Sequence, residues 1–215
     1  MTIYKRIIQM LGKDHIQYGI YSSKIIEGNT SLAAMSVGAD RKSPSLRYKG
    51  DKRMPNEDAL LLYDDHRFVL HAIADAHFGH SSSHQLIQGL ASSLPNTLPS
   101  NIDELKRFLR SIRHPPMSCA SRTTLMISIF DRKRMEGFGI SIGDSSQFLV
   151  SQMVRRLNPH THRYISPRQL SSLDVHEDET FVFEGNPDSL LVSCSDGVDE
   201  CHYRAPEKSI RPKHQ

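Results

Sequence analysis

The chain has 215 residues, enough for one domain with a substantial core, and its 38% hydrophobic content is too high for a disordered chain. Its 27 basic and 24 acidic residues leave a formal charge of +3, too even a balance for a protein whose main partner is nucleic acid. Three cysteines, Cys119, Cys194 and Cys201, without CxxC spacing argue against a disulfide framework and cysteine-ligated zinc, and fit a reducing cytoplasm.

In chain order, "MTIYKRIIQMLGKD" places Ile3, Tyr4, Ile7, Ile8 and Leu11 on roughly one helical face, so a first helix packed on its own domain is expected. Lys5 and Arg6 interrupt the apolar run, which excludes a signal-peptide core, and no stretch approaches the roughly 18 apolar residues of a membrane span. Residues 12 to 52 read as loops with one or two edge strands, such as Ile16 to Ser22. "DALLLY" and "RFVLHAIAD", joined by "DDH", predict a hairpin of two buried strands. "HSSSHQLIQGLASSL" and "NIDELKRFLRSIR" predict two helices, the second capped by Ser100 with Asp103 or by Asn101 with Glu104, and ended at "HPP". "TTLMISIF", "MEGFGISI" and "QFLVS", separated by "DRKR" and "GDSS", predict an antiparallel meander. A shorter helix is expected over Ser166 to Leu173, then two strands in "TFVFEG" and "SLLVSCSD", then a polar, basic tail over 202–215. Strands, two helices and more strands make a single α+β domain of sheets covered by helices.

Acidic residues stand at the ends of several of these strands: Glu57 and Asp58, Asp75, Asp144 and Asp196. Each alone is the turn or cap residue that strand ends favour. Neighbouring strands, however, bring such ends together, and clustered carboxylates repel unless a cation neutralises them. Oxygen ligands without cysteine point to a hard ion, Mg²⁺ or Mn²⁺.

"RMPNED", "ADAHFGH", "SRTTLMISIFD", "SIGDSSQFLV" and "LLVSCSDGVDE" occur in the order and approximate spacing of the PP2C-like (PPM) metal-dependent protein phosphatases. They resemble that family's R-x-x-x-E-D, D-G-H-G, S-G-T-T, G-D-S and S-D-G over about residues 50 to 200. The resemblance implies an αββα sandwich of two antiparallel sheets flanked by helices, with a two-metal site at one edge. It implies that Asp75 bridges two ions and that the Ala76 carbonyl holds one. Glu57 would reach the second ion directly or through water, Asp58 would bond metal-bound waters, and Asp196 would bind the second ion. Arg53, four residues before Glu57, would take the phosphate in a bidentate grip. His77 would protonate the leaving oxygen as a general acid, and Asp144 and Glu200 resemble ligands of a third, weaker metal. His71, His80 and His84 read as structural. The implied reaction is hydrolysis of phosphoserine and phosphothreonine in a phosphoprotein substrate by a water activated between two ions about 3.5–4 Å apart, without a phosphoenzyme.

The chain departs from the pattern in four places. Ala76 replaces the first glycine of D-G-H-G, tolerable unless a positive φ is needed there. Arg122 replaces the glycine of S-G-T-T, and Ser146 replaces the arginine usual after G-D-S. Only 19 residues follow Asp196, with no "DN" pair among them, so the chain is expected to be shortened, lacking the last strand and one ligand of a weakened second metal site. The alternative function is therefore a catalytically impaired pseudophosphatase, a regulatory module that binds a phosphoprotein or partner.

Overall fold

The computed structural model describes residues 5–14, 21–26, 32–37, 56–65, 67–77, 79–112, 121–199, 203–205 and 208–210. The chain begins with β1 (Arg6–Leu11) and a hairpin of β2 (Tyr21–Ile26) and β3 (Leu32–Val37). A second hairpin, β4 (Ala59–Asp64) and β5 (Phe68–Ala74), runs into the two-residue strand β6 (Ala76–His77). Helices α1 (Ser81–Ser92) and α2 (Ile102–Ser111) follow, then β7 (Arg122–Thr123), β8 (Leu125–Asp131), β9 (Glu136–Ile142), β10 (Ser146–Val150) and β11 (Val154–Arg156). Two 3₁₀ turns, Pro167–Ser172 and Glu177–Glu179, lead to β12 (Thr180–Glu184) and β13 (Leu190–Cys194). The one-turn helix α3 (Asp196–Asp199) and the pair β14 (Tyr203–Ala205) and β15 (Lys208–Ile210) close the described chain.

The central sheet has six antiparallel strands in the order β1-β4-β5-β8-β9-β12. Strand side chains alternate between its two faces. Leu61 and Tyr63 of β4, Leu70 and Ala72 of β5, Ile127 and Ile129 of β8 and Ile140 of β9 face the helices. There they meet Leu86, Ile87 and Leu90 of α1 and Leu105 and Leu109 of α2. Helix α2 starts as one of the two predicted caps requires: Asn101 Oδ1 accepts from the Glu104 amide at 2.9 Å, and Glu104 Oε2 reaches back to the Ser100 amide at 2.7 Å.

The opposite face is covered by strands. Leu32 and Ala34 of β3 lie on Ile8, Met10, Leu62 and Val69. A three-stranded sheet, β11-β10-β13, covers the middle, and Phe181 and Phe183 of β12 pack with Ile73 and Met126. Phe181 pairs with Gly139 across the ladder, where an added Cβ would lie 2.4 Å from its ring, so the glycine is what lets the ring lie flat on β9. The result is an α+β molecule of stacked antiparallel sheets with helices on the central one. Among the described residues no helix is long and apolar enough to cross a membrane.

Three sequence expectations are corrected. The N-terminal segment is a strand, not a helix: Ile8 and Met10 are buried while Ile7 between them and Arg6 is half exposed, a period of two. Its Arg6 is drawn inward by a partner remote in sequence, the fully buried Asp64, which Arg132 also holds at 2.5 Å. The meander breaks after β9, because β10 crosses to the second sheet and pairs with β13. The segment expected as a helix over Ser166 to Leu173 is a 3₁₀ turn. The expected strand from Ile16 lies mostly outside the described residues, and β2 begins at Tyr21.

Candidate active site

Strands β5 and β13 end at one place. Asp75 follows β5, and Asp196 follows β13 as the first residue of α3. Asp58 immediately precedes β4, the strand paired with β5. These three carboxyl groups from separate segments meet. Asp75 is 8% exposed and its carboxyl is held well above the usual carboxylate range, first by burial and then by the charges and hydrogen bonds of Asp58 and Asp196. Ser195 Oγ donates to Asp58 Oδ2 at 2.8 Å, tying the β13 end to the β4 start.

The backbone of Asp75 is fixed on both sides. Its amide donates to Thr124 Oγ1 at 3.0 Å, and its carbonyl accepts from Thr123 Oγ1 at 2.9 Å and the Thr124 amide at 2.8 Å. The threonines of "SRTT" therefore act as a clamp on the carboxylate strand. Gly143 of "GDS" closes onto the same clamp with φ at +108°, a conformation that favours glycine. A Cβ there would sit 2.5 Å from Thr124 Cγ2.

The remaining candidates divide. Glu57 is buried just before β4, and its carbonyl accepts from Ser83 Oγ of α1. Ala76 lies in β6 opposite Thr123, and among the described residues Met135 is the one non-glycine with positive φ, so alanine suits the backbone at position 76. His77 is half-buried, and its Nε2 is enclosed without a hydrogen-bond partner among the described residues. Asp144 has an enclosed Oδ1, also without a partner among the described residues, and its charge acts on Tyr164. Ser146 is fully buried and takes a hydrogen bond from Arg156 Nη2 at 2.5 Å. Arg53 and Glu200 lie outside the described residues. His71 and His84 are buried, hydrogen-bonded and held neutral, each lowered to about 4 chiefly by desolvation.

Tyr164 was not singled out from the sequence. Its ring meets His77 edge-on with centroids 4.5 Å apart. Its hydroxyl is pushed up by burial and by the charges of Asp144, Asp196 and Asp75. The segment that carries it is stitched in place by Thr161 bonding Gly143 in both directions and by Ile165 pairing with Thr123. No local motif marks the residue, because its position depends on those two long-range pairings.

Among the described residues no three or more His, Cys, Asp or Glu side chains already converge around one point as a ready metal cage. Asp75 instead shares side-chain hydrogen bonds with both Asp58 and Asp196, as crowded carboxyl groups do when protons rather than a cation offset their charge. The donor chemistry, all oxygen and strongly acidic, fits a hard divalent ion.

No protein-family model and no curated protein matches the chain. Solved structures do. The catalytic domain of the serine/threonine protein phosphatase PstP, in complex with two manganese ions, aligns with a TM-score of 0.51 and 16% identity over 89% of this chain and 79% of that one. A bacterial serine phosphatase carrying an arginine-to-alanine substitution aligns at 0.52 with 14% identity over 84% and 78%. Its arginine-to-glutamate form aligns at 0.52 with 13% identity over 86% and 80%. At such identities the likeness is one of fold, and the fold is that of the PP2C-like phosphatases.

Proposed function

We propose that the protein hydrolyses phosphoserine and phosphothreonine monoesters in proteins, using Mg²⁺ or Mn²⁺. The observation that supports this reading is the carboxyl trio of Asp58, Asp75 and Asp196, drawn from three segments and packed together at the sheet edge. Burying like charges side by side costs free energy, and a fold that needed only stability would not gather them. In this reading Asp75, Asp58, Asp196, Glu57 and the Ala76 carbonyl hold the ions, with Asp144 and Glu200 at a weaker third position. Bound there, the ions supply a nucleophilic water and neutralise charge on the phosphoryl group.

The chain's own groups do the rest. Arg53 grips the phosphate. His77 gives the proton to the leaving oxygen from Nε2, which has no hydrogen-bond partner among the described residues. Tyr164 holds the imidazole by its edge contact. A cytoplasmic location belongs to the same reading and rests on the odd cysteine count.

The test is turnover of a phosphoserine peptide and of p-nitrophenyl phosphate with Mn²⁺, with Mg²⁺ and with EDTA, beside a calorimetric metal titration. Metal-dependent turnover that EDTA stops is expected. His77→Gln should slow the peptide by roughly 10²-fold and p-nitrophenyl phosphate less, because that leaving group needs little protonation. Full turnover in chelator would overturn the reading, and phosphopeptide binding without turnover would turn it into that of a regulatory module.

A further inference from the structure

The short ladder that carries His77 also carries an arginine. Strands β6 and β7 set His77 directly opposite Arg122. Residues so paired project to the same face of an antiparallel ladder, with Cβ atoms about 5 Å apart. The guanidinium therefore shares one side of the site mouth with the imidazole.

The backbone that bears it is fixed. Thr123 and Thr124 clamp Asp75, Thr123 pairs with Ile165, and Ser121 Oγ shares a 2.6 Å hydrogen bond with Ser82 Oγ. Ser121, Thr123 and Thr124 are all buried, whereas Arg122 among them is exposed. Beyond the backbone ladder, no hydrogen bond or ion pair joins the Arg122 side chain to any described residue. Nor is it among the charges that shift Asp75 or Tyr164, and its side chain is exposed to solvent. Among the described residues the charges that act on Tyr164 at the mouth are acidic: Asp144, Asp196 and Asp75. Such a field attracts metal ions and repels an acidic peptide. Arg122 reverses the sign at one point of the rim, on a rigid base, beside the proposed proton donor.

We infer that Arg122 is a specificity residue that takes a carboxylate flanking the phosphorylated serine or threonine of the substrate. The inference rests on the proposed hydrolytic function of the same site. A planar, permanently charged fork suits a carboxylate, and its exposure gives the peptide access to it. A docked peptide would cover the pair and strengthen it beyond an ordinary surface ion pair.

The experiment compares kcat and KM for phosphoserine peptides that differ only in acidic, neutral or basic flanking residues, with wild type, Arg122→Glu and Arg122→Lys. The preference of kcat/KM for the acidic over the basic peptide should fall at least tenfold in Arg122→Glu, through KM, and partly survive in Arg122→Lys. Equal changes for all three peptides, or no change, would overturn the assignment. The same peptides with a non-hydrolysable phosphonate in place of the phosphate, read by fluorescence anisotropy with Mn²⁺, separate this inference from the one beneath it. If wild type turns nothing over but discriminates the acidic analogue through Arg122, the hydrolytic reading falls and the assignment stands. If wild type and Arg122→Glu bind the acidic and basic analogues alike, the assignment falls whatever the turnover.

Discussion

The two faces of the central sheet are held by different forces. The helix-covered face is apolar from β4 to β9, with Leu61, Leu70, Ile127, Ile129 and Ile140 wholly buried under α1 and α2. The other face has apolar clusters at its two ends and polar groups in its middle. There His71 Nδ1 meets Ser193 Oγ at 3.0 Å, and Gln147 Nε2 donates to Ser128 Oγ at 2.7 Å and Ser193 Oγ at 2.9 Å. Asn158 takes the Gln147 amide at 2.6 Å and gives to Ser141 Oγ at 2.7 Å. Apolar contact is non-directional and holds two layers together in many relative positions. Hydrogen bonds in a buried layer are directional, and leaving one unmade is costly, so they select one position. The His71–Ser193 link joins β5 to β13 shortly before those strands reach Asp75 and Asp196. The helical face supplies cohesion, and the polar one sets the register that brings the carboxyl groups together.

The sharpest way to break that contrast is to separate activity from stability. Asp75→Asn should lower turnover by more than about 10²-fold, beyond the loss seen when a supporting group of a metal site is removed. Its thermal midpoint should hold or rise, because repulsion from Asp58 and Asp196 is relieved. Near-normal turnover in the folded variant would reduce the trio to a packing feature.

Ile127→Ala, on the helical face, should do the reverse. Deleting a wholly buried isoleucine costs about 2–5 kcal/mol of unfolding free energy. Turnover per folded molecule should be unchanged, and denaturant unfolding beside active-fraction assays would check both.

The polar face carries a pH signature. Burial, then the Arg132 charge, lowers His71 from 6.5 to about 4. Between those values the unfolded chain binds a proton that the native chain does not, so stability rises with pH. The contribution is complete above 6.5 and is lost as pH falls through 6.5 toward 4, on the order of 3 kcal/mol in all. His84, also lowered to about 4, adds a slope of the same sign. His71→Gln should therefore remove roughly half of the histidine contribution to the slope between pH 6.5 and 4 in a denaturation series, and an unaltered slope would show that His71 is not held neutral. The smallest effect belongs to the helical periphery: Asn101→Ala should cost about 1 kcal/mol by removing the α2 cap, with no change in turnover.

Much of this molecule is legible locally. The hairpin β4–β5 shows in two apolar runs around "DDH", α1 and α2 in their helical periodicity, and the α2 cap in Asn101 and Glu104. Asp58, Asp75 and Asp196 are recognisable because strand ends and the quoted motifs mark them in one dimension. The N-terminal strand is not legible, since Ile3, Tyr4, Ile7, Ile8 and Leu11 fit a helical period, whereas in the strand Ile7 and Ile8 fall on opposite faces. Pairing with β4 and the Arg6–Asp64 contact decide between the two.

The sequence by itself determined which segments are apolar enough to be strands or helices and which residue types stand at their ends, because periodicity and turn chemistry act over a few residues. Only the tertiary structure decided that β10 and β13 leave the central sheet together, while β12 returns to β9. It alone placed Tyr164 against His77 and left Arg122 exposed opposite that histidine. Each of these outcomes depends on partners far apart in the chain, and a one-dimensional pattern does not record which of two sheets a strand joins or what its side chain then meets.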